Sequence, residues 1–211
     1  MAIRIDGTNT TANPGITGAD ADTGLQFGTN ELKLVTGGTE AVKIDSNQKL
    51  TASQGILFGT DTADANTLDD YEEGTWTPTF YGGTTAGSYT FTHGSWYTKI
   101  GNMVTAFAVL ANITDSSLGS GDLYIGGLPF TGTTNNTLGN AVLDRFNNAA
   151  SACSIAAMLV GGDKIALQET RDSETDRRIQ VTDRTTDGSD IFVQISYKVA
   201  WFIARNGIKL A

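Results

Sequence analysis

The densest acidic cluster in the chain is Asp69-Asp70-Tyr71-Glu72-Glu73. Paired carboxylates do general acid/base work only where a pocket drives their pKa values apart. These stand in a row beside Gly74, with no basic or apolar shield nearby in the sequence. They read as solvated linker charges; the sharper alternative is a divalent-cation site built on hard oxygen ligands. Asp183, Asp187 and Asp190 around Gly188 share a composition with calcium loops, but not the EF-hand spacing. His93 is the single histidine, which excludes sites needing two, such as the common zinc clusters. A Ser-His-Asp triad is formally open, yet no Gly-x-Ser-x-Gly elbow is present. Neither glycine-rich phosphate cradle occurs. Cys153 is the lone cysteine, so no intrachain disulfide forms; beside Ala152, Ser154 and Ile155 it reads as a small buried residue. The expectation is a protein without catalytic, metal or cofactor chemistry.

Aromatic side chains offer a second kind of chemistry, because they combine flat apolar area with a polar edge. Trp76, Tyr81, Tyr89, Trp96, Tyr97, Tyr124 and Trp201 could stack on sugar faces. Trp201 falls on the apolar face of the last strand and reads as core. Trp96 and Tyr97 follow a Gly-rich stretch, Gly82 to Gly94. The candidate ligand-binding residues are therefore Tyr81, Trp96 and Tyr97. The competing reading places such aromatics in the core or at subunit interfaces.

The composition points to many short strands joined by tight turns. Among 211 residues there are 25 glycines, 31 threonines and only 3 prolines. Threonine packs well on a pleated surface, and glycine supplies the positive φ angles of tight hairpins. The net charge of -9 repels a polyanion, so nucleic acid is not an expected partner. No apolar run is long enough to span a membrane. The opening Met1-Ala2-Ile3-Arg4-Ile5-Asp6 lacks the apolar run of a signal peptide, so synthesis in the cytoplasm and release by cell lysis are expected.

Three regions must position these residues. Residues 1–22 are small and polar, and read as an extended arm ordered against a partner. Residues 23–73 hold a repeat, Gly24-Leu25-Gln26-Phe27-Gly28-Thr29 and Gly55-Ile56-Leu57-Phe58-Gly59-Thr60, and then a polar linker. Between the copies, Leu32 to Val35 and Ala41 to Ile44 flank Gly37-Gly38 as a hairpin. Such hairpins are marginal alone in water. Copies packed around a threefold axis would bury Leu25, Phe27, Leu34, Val42, Ile44, Ile56 and Phe58 as the core of a short β-hairpin or β-prism stem. The alternative folds the hairpins back on the rest of the same chain. Residues 74–211 read as an antiparallel β-sandwich of jelly-roll type. Its expected strands are 104–109, 123–125, 155–160 paired with 164–167, 179–181, and 191–203, where apolar residues alternate. Residues 138–150 are the one modest helix candidate. The fold class is all-β.

Leu68-Asp69-Asp70-Tyr71-Glu72-Glu73-Gly74-Thr75-Trp76-Thr77-Pro78 resembles a junction segment of tail-fibre-like proteins of tailed bacteriophages. Tyr97-Thr98-Lys99-Ile100-Gly101-Asn102-Met103-Val104 is similar to the segment that follows it there. The opening stretch Ile3 to Thr23 and the Gly-x-x-Phe-Gly-Thr repeats are similar to N-terminal parts of such fibres. The resemblance covers residues 3 to about 104. It implies a homotrimer whose arm attaches to other virion proteins, with a β-rich stem and a head that contacts a host-surface glycan or protein. Thr77-Pro78 forces extended backbone into that head, and Trp76 would plug its base while the acids stay in water. With two repeat units the stem is short. A polysaccharide-cleaving spike would need a longer solenoid of stacked repeats. The leading expectation is host adsorption by a virion protein; the alternative is a capsid fibre or cement protein that stabilises the shell.

Overall fold

Apolar and polar residues alternating between turn glycines build an antiparallel all-β protein. The computed structural model describes the chain apart from residues 1–3, 6, 8, 61, 64, 65, 69, 134–136, 149–151, 173, 186 and 201–211, and describes only the backbone of Arg4 and Cys153. The chain divides into two compact units, residues 1–69 and 70–211.

The smaller unit is a six-stranded meander of β1 (Arg4–Ile5), β2 (Ile16–Thr17), β3 (Gly24–Gly28), β4 (Glu31–Thr36), β5 (Thr39–Ile44) and β6 (Leu50–Ala52), paired in chain order. The β4–β5 turn uses Gly37 and Gly38 at φ 56° and 69°, the double left-handed conformation that two-residue hairpins favour. Register then sorts the side chains. Ile5, Ile16, Leu25, Leu34, Val42 and Ala52 pair strand by strand into one row across the sheet. Phe27, Leu32, Ile44 and Leu50 form a second row on the same face. Gln26, Lys33, Lys43 and Thr51 form the row between them, and strand alternation puts it on the opposite face. There Lys33 lies 3.1 Å from Glu31 and 3.5 Å from Glu40. The second repeat copy does not rebuild the first. Gly24–Gly28 is a strand, whereas Ile56 only bridges Leu68 through reciprocal backbone bonds of 3.0 and 2.9 Å. The first copy runs through a turn at Asn30 (φ 58°) into an apolar strand; the second runs into a polar stretch whose described residues form only the Ile56–Leu68 bridge.

The larger unit contains β7 (Tyr71–Gly74), β8 (Thr79–Gly82), β9 (Ser88–Ile100), β10 (Met103–Ser117), β11 (Leu123–Gly126), β12 (Leu138–Asp144), β13 (Ala152–Val160), β14 (Lys164–Arg171), β15 (Arg177–Arg178) and β16 (Ser189–Lys198). They form one sheet in the order β7-β9-β10-β16-β12-β13-β14-β11-β8, with β15 beside β14. The sheet closes on itself: Phe80 of β8 meets Tyr89 of β9 edge-on at 4.6 Å, although seven other pairings separate these strands in the hydrogen-bonded order. Inside lies one apolar cluster that includes Trp76, Leu110, Ile113, Ile125, Leu167, Ile179, Val193 and Tyr197. A sandwich-like all-β fold is what the sequence predicts.

The strands expected at 104–109, 123–125, 155–160 and 164–167 are present. In the last strand Ile191, Val193, Ile195, Tyr197 and Val199 are all buried; Trp201, Ile203 and the side chain of Cys153 lie outside the described residues. Two expectations are corrected. Residues 138–144 are strand β12 rather than helix, because alternate residues face in and out and Gly139 lets the backbone approach β16. A Cβ at Gly139 would stand 2.1 Å from the Gln194 carbonyl oxygen. Residues 179–181 form no strand: Gln180 makes a single bridge to Asp122, and Val181–Asp183 is a 3-10 turn capped by Gln180 and Asp183.

Tyr197 carries a pH signature. It is buried, it donates its hydroxyl to the Phe130 carbonyl at 3.0 Å, and burial pushes its pKa up to about 12. A phenol whose folded pKa is raised contributes stability that is present below its ordinary value of about 10 and is lost as pH climbs toward 12. The Tyr197→Phe variant should lose about 1 kcal/mol at neutral pH with the hydrogen bond. Its urea midpoint should then fall less steeply than the parent's between pH 10 and about 12. Parallel midpoint curves across that window would refute the assignment.

Candidate functional site

Glu72 and Glu73 of the junction lie at the surface, as expected of solvated acids, yet they and Asp70 also bond to neighbouring side chains; Asp69 lies outside the described residues. Strand β7 pairs with the end of β9 in the register Tyr71↔Ile100, Glu72↔Lys99, Glu73↔Thr98 and Gly74↔Tyr97. The two segments that carry the fibre resemblance are thus partners in one ladder. Lys99 is buried; its ammonium bonds to Asp70 and lies 5.6 Å from the Phe130 ring centre. The Tyr97 hydroxyl donates to Glu72, and that bond raises the phenol's pKa. Its ring packs edge-on against Phe130 at 5.3 Å. The Tyr71 hydroxyl donates to Glu73. A Cβ at Gly74 would stand 2.7 Å from the Tyr97 hydroxyl, so a larger residue there would push that ring aside. Trp76 enters the core, donates its indole N–H to the Phe107 carbonyl at 3.1 Å, and accepts the Ser95 hydroxyl on its own carbonyl. Expected as a plug, Trp76 is both plug and clamp.

The other candidate chemistry resolves into structure. His93 Nδ1 lies 3.3 Å from Ser95 Oγ, but that hydroxyl is buried and donates to Trp76. Asp183 binds Arg177 at 2.5 Å, Asp187 lies 3.3 Å from Arg184, and Asp190 accepts the Asn112 backbone N–H at 2.8 Å. Among the described residues, no group of three His, Cys, Asp or Glu is placed to hold a metal ion. Glu169, which the sequence reading passed over, is fully buried and bonded to Arg171 (2.6 Å) and Arg177 (3.1 Å). A buried carboxylate between two guanidiniums holds strands together, because removing either partner strands a charge in the core.

The aromatic candidates separate. Neighbours in a strand face opposite ways, so Trp96 and Tyr97 cannot share a site. Tyr97 turns inward onto Phe130, whereas Trp96 turns outward, 52 % exposed, and stacks on Phe107 at 4.2 Å. Tyr81 pairs with Tyr124 across β8 and β11, with ring centres 5.7 Å apart; burial raises its phenol pKa, and Lys164 covers the Tyr124 ring at 5.5 Å. Tyr81 adjoins Phe80, which packs on Tyr89 near the start of β9, whereas Trp96 lies toward the other end of that strand. Phe107 and Phe192, the outward residues near Trp96, were not singled out from sequence. Outward positions show in strand alternation, but their neighbours depend on the pairing.

Of the seven stem residues, Leu25 and Val42 are half-buried, and Phe27, Leu34, Ile44, Ile56 and Phe58 are exposed, Phe58 at 68 %. Among the described residues of the unit, Val35 is the one large apolar side chain that is fully buried. Among the described residues, no helix is long and apolar enough to cross a membrane.

The junction lock can be probed in the full chain. Lys99→Ala should lower stability by about 1–3 kcal/mol, since Asp70 loses its charge partner and Phe130 its cover. Amide hydrogen exchange at Tyr71–Gly74 should quicken while the β10–β16 ladder keeps its protection. Unchanged exchange in β7 would show that the lysine does not hold the strand.

No protein-family model matches the chain, and no curated protein matches it. Among solved structures, the crystal structure of the Dettilon tailspike protein is similar at a TM-score of 0.48 and 14% identity, over 61% of this chain and 24% of that one. The chain thus spans about a quarter of that protein's length.

Proposed function

We propose that the chain is a structural protein of a tailed-bacteriophage virion: a short homotrimeric fibre attached through residues 1–22, with a stem at 23–73 and a head at 74–211 that adsorbs to a host-surface glycan. The observation that carries this reading is the one-sided smaller sheet. Two apolar rows, from Ile5 to Ala52 and from Phe27 to Leu50, share a face that a single chain leaves largely in water. Patches of contiguous exposed apolar surface mark interaction sites. Three copies around one axis would turn those faces into a single prism core, and cyclic closure leaves no face over. The junction resemblance at 68–78 and 97–104 supports the virion assignment. The exposed Trp96 supports adsorption by the head.

A capsid fibre or cement protein is the second reading. Ile5 and Ile16 of the arm extend the stem's apolar row instead of standing apart from it, so arm and stem could grip a shell as one element. Loss of particle stability on deleting the gene, with adsorption intact, would favour it.

Light scattering after size exclusion should give the full chain three times its 22.2 kDa mass. Phe27→Asp combined with Leu34→Asp, at the centre of the apolar face, should give a monomer that keeps the head's near-ultraviolet circular dichroism. A monomeric unsubstituted chain would sink the fibre reading and favour hairpins covered by their own chain. The purified trimer should also bind host cells.

A further inference from the structure

We propose that the outer face of strands β9, β10, β16 and β12 is the adsorption surface, and that its ligand is an uncharged oligosaccharide lying across the strands with one ring stacked on Trp96. This deepens the adsorption reading and rests on it.

Register defines three adjacent outward rows. The middle row is Trp96, Phe107, Gln194 and Asn140. On one side run Gly94, Val109, Phe192 and Val142. On the other run Thr98, Thr105 and Ser196, the last two joined by a 2.8 Å hydroxyl bond. None of these eleven positions is charged, although 18% of the chain is. Charges stand only at the rim: Glu73 beyond Thr98, Lys198 beside Met103, and the Asp144–Asp190 pair.

The indole is pre-set. Stacking on Phe107, with 28° between the planes, fixes its orientation, and half of its surface stays open. Gly94, two residues earlier on the same face, adds no bulk: a Cβ there would meet nothing within 4 Å. A pyranose presents an apolar C–H face to such a ring and hydroxyls at its edge. Gln194 and Asn140 are exposed, and each amide both donates and accepts. Strands lie about 4.8 Å apart, so the row from Trp96 to Asn140 runs roughly 14 Å, room for a few linked sugar rings. Neutrality of the ligand follows from charge. The chain carries -9 and these rows contain no lysine or arginine, so an acidic glycan would be repelled with nothing to offset the repulsion. A second copy fits less well, since it would bury the amide and hydroxyl rows against apolar side chains without partners.

The test uses the full chain on a panel of neutral and of carboxylate- or sulfate-bearing oligosaccharides, followed by titration of tryptophan fluorescence. Neutral oligosaccharides of several units should bind and perturb the fluorescence, with affinity nearly constant between about 0.05 and 0.5 M salt. Trp96→Ala should weaken binding at least about tenfold, and Trp96→Phe should restore part of it. Preference for acidic glycans, steep salt dependence, or undiminished binding by Trp96→Ala would overturn the site. A fall in oligomeric mass on Trp96→Ala would instead make this face a contact between copies. If Trp96→Ala still adsorbs to host cells as the parent does, the site is wrong while the adsorption reading stands. If the parent binds neither cells nor any glycan, both fall.

Discussion

A sheet that is apolar on one face has to be covered, and the two units of this chain meet that demand differently. The larger sheet is long enough to cover itself. Its order runs from β7 to β8, Phe80 of β8 packs on Tyr89 of β9, and its inner face becomes one core. The smaller sheet cannot do the same. Its strands are two to six residues long and lie in a simple meander. Among the described residues no strand returns to roof the apolar face, and Val35, the one fully buried large apolar residue, pairs with Glu40 and lies in neither row. Burying an apolar side chain is worth about 1.5–3 kcal/mol. Covering Phe27, Leu34 and Ile44 in every copy would therefore favour association strongly, even after the entropic cost of assembly.

The larger unit begins with a device that fixes its first strand. Strand β7 is an edge strand of four residues, too short to hold by backbone bonds alone. Side chains supply the rest. Lys99 reaches Asp70 from beneath Phe130, Tyr97 reaches Glu72 over the space left by Gly74, and Trp76 ties the next residues to β10. The acids at the surface are thus one side of a paired edge. Their charge also discourages edge-to-edge pairing with other sheets.

Much of this was legible in the sequence, and the failures have physical causes. The last strand was readable because period-two alternation persists over many residues, and the Gly37-Gly38 and Gly161-Gly162 hairpins because glycine pairs mark left-handed turns. Residues 138–144 misled because Leu and Ala favour helix locally, and pairing with β16 overrode that preference. The second repeat misled because four matching residues in six say nothing about the strand that must follow. Trp96 and Tyr97 looked equivalent in sequence, yet adjacent strand positions face opposite sides, and only the pairing decides which side is the core. The composition of the Trp96 rows could not be read in advance for the same reason: it joins residues from four strands spread between positions 94 and 196.

The position of that aromatic row bears on how weak recognition becomes useful. Loop sites lose conformational freedom on binding, whereas side chains on a hydrogen-bonded sheet are already ordered, so less of each contact's energy is spent on fixing the site. Trp96 is further held by Phe107 while about half of its surface stays open. A single neutral sugar stacked on one indole still binds weakly. If the apolar stem face joins three chains, three such platforms are carried on one body, and the second and third contacts proceed at high effective concentration without any new interaction. The unpartnered stem face and the uncharged outer face would then be parts of one arrangement: the first sets the number of copies, and that number makes a shallow, charge-free sugar surface strong enough to hold a particle.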